Sequence, residues 1–252
     1  MSEQPKKRRV SRGTCSLCGQ EFAKNAMTRH LEKCRAETTA KETARKGGGP
    51  PTKFFHLIIE GRDLPEYWLH LDARADATLA DLDDLLRRLW LECCGHLSAF
   101  NVGRDRYRWE PPGGFDDDEN DFFDGLDEMF GMPQERTMDV TLADVLPPGT
   151  AFTYEYDFGS TTELKGRVLS EHEEPTRGKN ISVLARNTPP PIPCDECGAP
   201  ADWVGPVDEE DWEPRALCEA CIEKHGYDME MLLPVVNSPR VGVCAYTGEA
   251  AG

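Results

Sequence analysis

A chain of 252 residues suits one domain of ordinary size with small satellites, and it has no apolar run near the roughly 20 residues of a membrane-spanning helix. Its start, MSEQPKKRRV, puts no apolar stretch after its charges, which excludes a secretory signal and predicts a cytoplasmic protein, or a nuclear one if its host is eukaryotic. The net charge of −17 is split: residues 1–53 hold 13 Lys and Arg against 5 Asp and Glu, leaving 16 against 41 elsewhere, and a body that acidic repels phosphate backbones, so nucleic-acid contact would have to come through the basic head.

Residues 1–13 read as a polar, basic tail, and residues 14–35 as a compact cysteine-containing unit. Residues 36–52 combine a charged helical stretch with a Gly-Pro break, the signature of a linker. A folded domain is predicted over 53–172. It opens with two strands, FFHLIIE and YWLHLD, joined by a Gly-containing turn. Thr78 reads as a helix N-cap, with Asp81 and Asp83 in the first turn. Leu79, Leu82, Leu85, Leu86, Leu89 and Trp90 then recur at the spacing of a helix with one buried face, ending before Gly95.

HLSAFNV and RYRWE read as two more strands around Gly103, followed by an acidic insertion at 113–132 that is expected to be irregular. A short helix near Leu142 to Leu146 precedes strands at AFTYEYDF and ELKGRVLSE. The order strand, strand, helix, strand, strand predicts an α+β fold with a central antiparallel or mixed sheet, one main packing helix and two small zinc-stabilised modules at its flanks. Residues 173–192, ending in NTPPPIP, read as a second linker, and 193–252 as a cysteine unit with a tail apolar enough to dock back on the domain.

Ten cysteines in a chain read as cytoplasmic favour metal ligation over disulfides. Cys194-x2-Cys197 and Cys218-x2-Cys221 form two knuckles whose four thiolates complete the tetrahedral shell that zinc prefers. A shell filled by thiolates leaves no open position for substrate, so this site is read as structural. At the other end, Cys15-x2-Cys18 is followed by His30 and Cys34, one helical turn apart on a shared face. Phe22 and Met27 fall where Cys-Cys-His-Cys fingers, which CSLCGQEFAKNAMTRHLEKC resembles, place their small core. Two Zn(II) ions per chain are expected.

PKKRRV resembles a nuclear localisation signal, and it equally suits a basic arm on phosphates or a solvated tail. The candidate nucleic-acid contacts, to DNA or RNA, are Lys6, Lys7, Arg8, Arg9, Lys24, Arg29 and Lys33. His56, His70 and His96 are not spaced as metal ligands, and the adjacent Cys93 and Cys94, 100° apart at a helix end, read as packing thiols. No phosphate-binding Gly loop, nucleophile elbow or HExxH occurs.

From Lys53 to about Glu171 the chain resembles the plasmid pRiA4b ORF-3-like family, through FFHLIIEGRDLPEYWLHLDARADATLADLDDLLRRLW, HLSAF and FTYEYDFGSTTEL. The tail LPVVNSPRVGVCAYTG also looks like the ending of some relatives. The resemblance implies an α+β fold and a setting beside mobile elements or in stand-alone bacterial proteins; it carries no established activity. Where members commonly read YDFGD followed by an aromatic and a His, this chain has Ser160, Thr162 and Leu164, which counts against an enzymatic site. The leading expectation is a non-enzymatic zinc-binding adaptor that contacts nucleic acid through its head. The alternatives are a protein-binding module using the acidic body, and a metal-dependent hydrolase or nuclease using Asp157 with carboxylates of the acidic loop.

Overall fold

The computed structural model describes residues 10–46, 50–109, 135–175, 178–207 and 212–248. The basic arm at Lys6 to Arg9 and the acidic insertion lie outside the described residues.

Strand β4 (Trp68–Arg74) is buried along six of its seven residues, which marks it as an interior strand covered on both faces. Its alternate side chains point to opposite sides. Leu69, Leu71 and Ala73 join the main core, whereas Trp68 belongs to a second cluster with Cys15, Met27 and Leu31. On one side β4 pairs antiparallel with β3 (Pro51–Gly61), and on the other with β10 (Ile181–Asn187). The residues 173–192 read as a linker include a full strand of the sheet: ISVLARN is inserted between β4 and β1 (Arg12–Cys15).

Among the described residues the main sheet has ten strands in the order β2-β1-β10-β4-β3-β9-β8-β5-β6-β7. The remaining members are β2 (Glu21–Ala23), β5 (Ser98–Val102), β6 (Asp105–Arg108), β7 (Glu135–Thr137), β8 (Ala151–Tyr156) and β9 (Thr162–Pro175). Strands β6 and β7 run parallel while the other described pairs are antiparallel, so the sheet is mixed. Helix α2 (Leu79–Leu86) starts as the sequence predicts: Thr78 and Asp81 form a reciprocal capping box. It continues through a π turn at Arg87–Leu91, and Leu79, Leu82, Leu86 and Trp90 are wholly buried against the sheet. Burial of each such side chain contributes roughly 1.5–3 kcal/mol. Helix α3 (Leu142–Val145) closes the same side, its Leu142 N–H bonding the carbonyl of Ala77.

The N-terminal unit is not a separate bead. Strand β1 pairs with β10, and helix α1 (Lys24–Lys46) packs Met27 and Leu31 onto Trp68, Leu184 and Ala185. The stretch read as the first linker supplies the second half of α1 and the start of β3. At the other end β11 (Trp203–Gly205), β12 (Arg215–Leu217) and β13 (Leu233–Pro234) make a small antiparallel sheet beside α4 (Glu219–His225). Among the described residues no helix is long and apolar enough to cross a membrane.

Candidate metal centres

Both CxxC knuckles are followed by glycine, at Gly19 and Gly198, and both glycines take a left-handed φ of 72° and 75°. A Cβ is disfavoured there, and the conformation folds the turn back on its first cysteine. The Gly19 N–H reaches the Cys15 carbonyl at 2.8 Å, and the Gly198 N–H reaches the Cys194 carbonyl at 2.8 Å. The Cys15 N–H in turn bonds the Gln20 carbonyl, and the Cys194 N–H that of Ala199. Two distant segments thus adopt one local solution that turns both thiols of each pair to one side.

The second half of each set comes from a helix. In α1, His30 and Cys34 stand one turn apart, and Phe22 stacks on the His30 ring with centroids 3.8 Å apart. Cys15 and Cys34 sulfurs lie 3.9 Å apart, and Cys18 Sγ lies 3.4 Å from His30 Nε2. In the C-terminal set Cys218 is the N-cap of α4 and Cys221 sits in its first turn. The sulfurs of Cys197 and Cys218 lie 3.6 Å apart. Tetrahedral zinc, with Zn–S near 2.3 Å and Zn–N near 2.0 Å, requires S···S edges of about 3.8 Å and S···N edges of about 3.5 Å. The four ligand atoms of each predicted set all fall within 4.8 Å of one another. The three individual edges, 3.9, 3.4 and 3.6 Å, lie close to these values, and each quartet could hold one metal ion.

The thiols are also unequal. Burial alone would raise Cys194, but backbone bonds from Cys218, Cys197 and Glu196 bring it down to about 6. Cys221 is pushed up to about 12 by its bond with Cys197 and by burial. A set poised between thiolate and thiol in this way releases protons when it takes up a cation.

Two further groups come together. Cys93, Cys94, His96 and Cys244 place their ligand atoms within 4.8 Å of one another, as do Asp72, His172 and Glu174. The latter already holds a cation: Arg35 on α1 lies 3.6 Å from Asp72 and 3.4 Å from Glu174, with its side chain only 11% exposed. Cys93 packs against the main core, as a packing thiol does, but it and Cys94 also stand in this cluster of possible ligands. Helical geometry ends at Leu91 and Glu92 is extended, so the 100° separation of helical neighbours does not apply to them. The sequence signal for this group was the compact Cys-Cys-x-His spacing; its fourth member, Cys244, lies 150 residues beyond Cys94.

The expected nucleic-acid contacts are placed unevenly. Lys24 turns inward, its ammonium bonded to the Glu60 carboxylate and, at 2.7 Å, to the Pro65 carbonyl. Arg29 and Lys33 are exposed, one turn apart on α1. Asp157 is fully engaged: Ser160 Oγ, Arg240 Nη2 and the Gly159 N–H donate to it at 2.6, 2.7 and 3.0 Å. A hydrolytic metal held by Asp157 would have to displace the Arg240 guanidinium.

Residues 58–230 match the family described as plasmid pRiA4b ORF-3-like protein, and the chain belongs to that family. The match runs past Glu171 through β10 and the four cysteines Cys194 to Cys221, so these are part of the family region. No curated protein matches the chain. Among solved structures, the protein of unknown function MM3350 from Methanosarcina mazei Go1 is similar at 18% identity and a TM-score of 0.41, over 54% of this chain and 70% of that one.

Proposed function

We propose that this member of the plasmid pRiA4b ORF-3-like family is a non-enzymatic zinc-binding adaptor, in which one zinc ion fixes the β1–β2 edge of the large sheet, a second fixes the small C-terminal sheet, and the basic head contacts nucleic acid. The observation that carries it is the closed geometry of the two quartets Cys15, Cys18, His30, Cys34 and Cys194, Cys197, Cys218, Cys221. Four protein ligands per ion leave no coordination position for a substrate or an activated water, which supports a structural role for both ions. The nucleic-acid reading rests on the Lys6 to Arg9 arm with Arg29 and Lys33, and an association of that kind weakens steeply with salt.

A second reading, a module that binds protein through its acidic body, is favoured by the internal use of the head's own cations. Arg12 pairs with Glu21, Lys24 with Glu60, and Arg35 with Asp72 and Glu174. Titrating full-length protein with labelled DNA and RNA across a salt series separates the readings. The adaptor predicts binding that falls with salt and is lost when Lys6, Lys7, Arg8 and Arg9 become alanine. Absence of binding at low salt leaves the protein-binding reading. Metal analysis of Cys18→Ser and Cys197→Ser tests the ions: each variant is expected to lose one zinc.

A further inference from the structure

We propose that Cys93, Cys94, His96 and Cys244 form a third metal site for a Zn(II)-class ion, which latches the C-terminal tail onto the sheet domain. The site lies where the loop leaving α2 meets the segment that follows the small C-terminal sheet. Its distances repeat those of the two predicted quartets: Cys94 and Cys244 sulfurs are 3.9 Å apart, and Cys244 Sγ is 3.5 Å from His96 Nε2. These match the S···S and S···N edges of about 3.8 and 3.5 Å around tetrahedral zinc. Three thiolates with one imidazole form a soft donor set, which selects zinc over magnesium or calcium.

The surroundings are built for the site. Gly95, at a left-handed φ of 70°, lets the chain turn between Cys94 and His96. Glu92 accepts the Gly95 N–H at 2.6 Å and the Tyr156 hydroxyl at 3.1 Å, holding the loop to β8. An ion with three thiolates and a neutral imidazole carries a net charge of about −1, and the buried guanidinium of Arg240 stands 3.6 Å from Cys93 Sγ.

Backbone strain points to the same place. Among the described residues Asp157 and Cys244 are the two non-glycine positions with positive φ, at 64° and 55°. Asp157 Oδ2 lies 3.7 Å from His96 Nε2, so both strained residues border this one cluster. Such conformations are costly and persist where the surroundings over-determine them. The tail that carries Cys244 also touches both bodies: Ser238 donates to the Trp90 carbonyl at 2.6 Å, and a Cβ at Gly242 would meet Val204 of β11 at 3.0 Å. An ion here ties the body, the tail and the C-terminal sheet into one unit.

The test is metal content of the full chain, isolated with an alkylating quench and without added chelator. Three zinc ions are expected in the wild type and two in Cys94→Ser and in Cys244→Ser, while Cys244→His, which keeps a ligand, retains the third. Cobalt substitution reads the same count through the thiolate-to-cobalt absorption, which should fall by about a third in each serine variant. Cys244 is exposed, so its serine variant should fold, and retention of the other two ions shows that it has. Equal zinc in wild type and Cys244→Ser, or a Cys94–Cys244 disulfide in the quenched protein, would overturn the proposal. The outcome is separate from that of the two predicted quartets, which Cys18→Ser and Cys197→Ser read individually.

Discussion

The guanidinium of Arg240 is wholly buried and donates to the carboxylate of Asp157 at 2.7 Å across 83 residues of sequence. A second nitrogen reaches the Ser160 carbonyl at 3.1 Å and the Thr162 hydroxyl at 3.0 Å. Truncating Arg240 leaves the nearly buried Asp157 without its counter-charge, which typically costs 3–5 kcal/mol. Arg240→Ala should therefore lower the urea midpoint strongly and expose residues 235–246 to limited proteolysis. Burial alone would raise the Asp157 carboxyl, but Ser160, Arg240 and the Gly159 N–H hold it well below its ordinary 3.8. The contribution is present above that value and lost as pH falls below it. An unaltered acid limb in Arg240→Ala would refute this assignment.

The two buried imidazoles of His56 and His70 face each other at 2.9 Å between neighbouring strands. Burial, aided by Arg35 near His56, lowers His56 to about 4, and burial with the charge of His56 lowers His70 to about 3. Both are neutral in the fold, while the unfolded chain protonates them near 6.5. Stability is thus full above pH ~6.5 and declines as pH falls toward 4, by about 2 kcal/mol per imidazole at pH 5. Chemical unfolding at pH 7.5 and pH 5 should show that decline in the wild type. In a His56→Leu/His70→Leu variant, most of it should be gone.

Gly13 is the point at which the N-terminal unit joins the sheet. A Cβ there would stand 2.3 Å from the Arg186 carbonyl oxygen and 2.5 Å from the Trp68 ring, so β1 could not keep its place beside β10. Gly13→Ala should cost roughly 1–3 kcal/mol as an overpacking change. Hydrogen exchange should then quicken at residues 12–15 while β3 and β9 stay protected. Uniform exchange across the sheet would argue against a local seam.

Sequence periodicity captured what is local. The Thr78 N-cap, the leucine face of α2 and the strands β3, β4, β5, β6, β8 and β9 follow from caps and alternation that act within a few residues. It failed where long-range pairing decides. Strand β10 is set between the polar RGKN and the proline run, and its pairing with β4 and β1 makes it a strand. The same limit hid the Cys93, Cys94, His96 and Cys244 group, because Cys244 reaches it through the docked tail. The two CxxC quartets were legible because their spacing encodes their geometry.

Asp83 is the hub of a polar network sealed inside the core. Arg87 Nε, Ser98 Oγ and the Tyr154 hydroxyl each donate to it at 2.6 Å, and Arg87 also bonds the His96 carbonyl and the Glu92 carboxylate at 2.8 and 2.9 Å. Burial and the Asp83 charge together hold the Tyr154 hydroxyl well above its ordinary range. Asp83→Ala should cost about 3–5 kcal/mol, because the buried Arg87 is left uncompensated, whereas the apolar pair Asp83→Leu/Arg87→Met should recover much of that loss. The exposed pair Arg62 and Glu163, at 2.7 Å but with side chains 52% and 34% exposed, should cost under about 1 kcal/mol when broken. Since Arg87 holds the loop from Glu92 to His96, Asp83→Ala should also loosen the residues around Cys94, which faster thiol alkylation there would report. Equal losses in Asp83→Ala and Arg62→Ala would show that the buried network contributes no more than a surface ion pair.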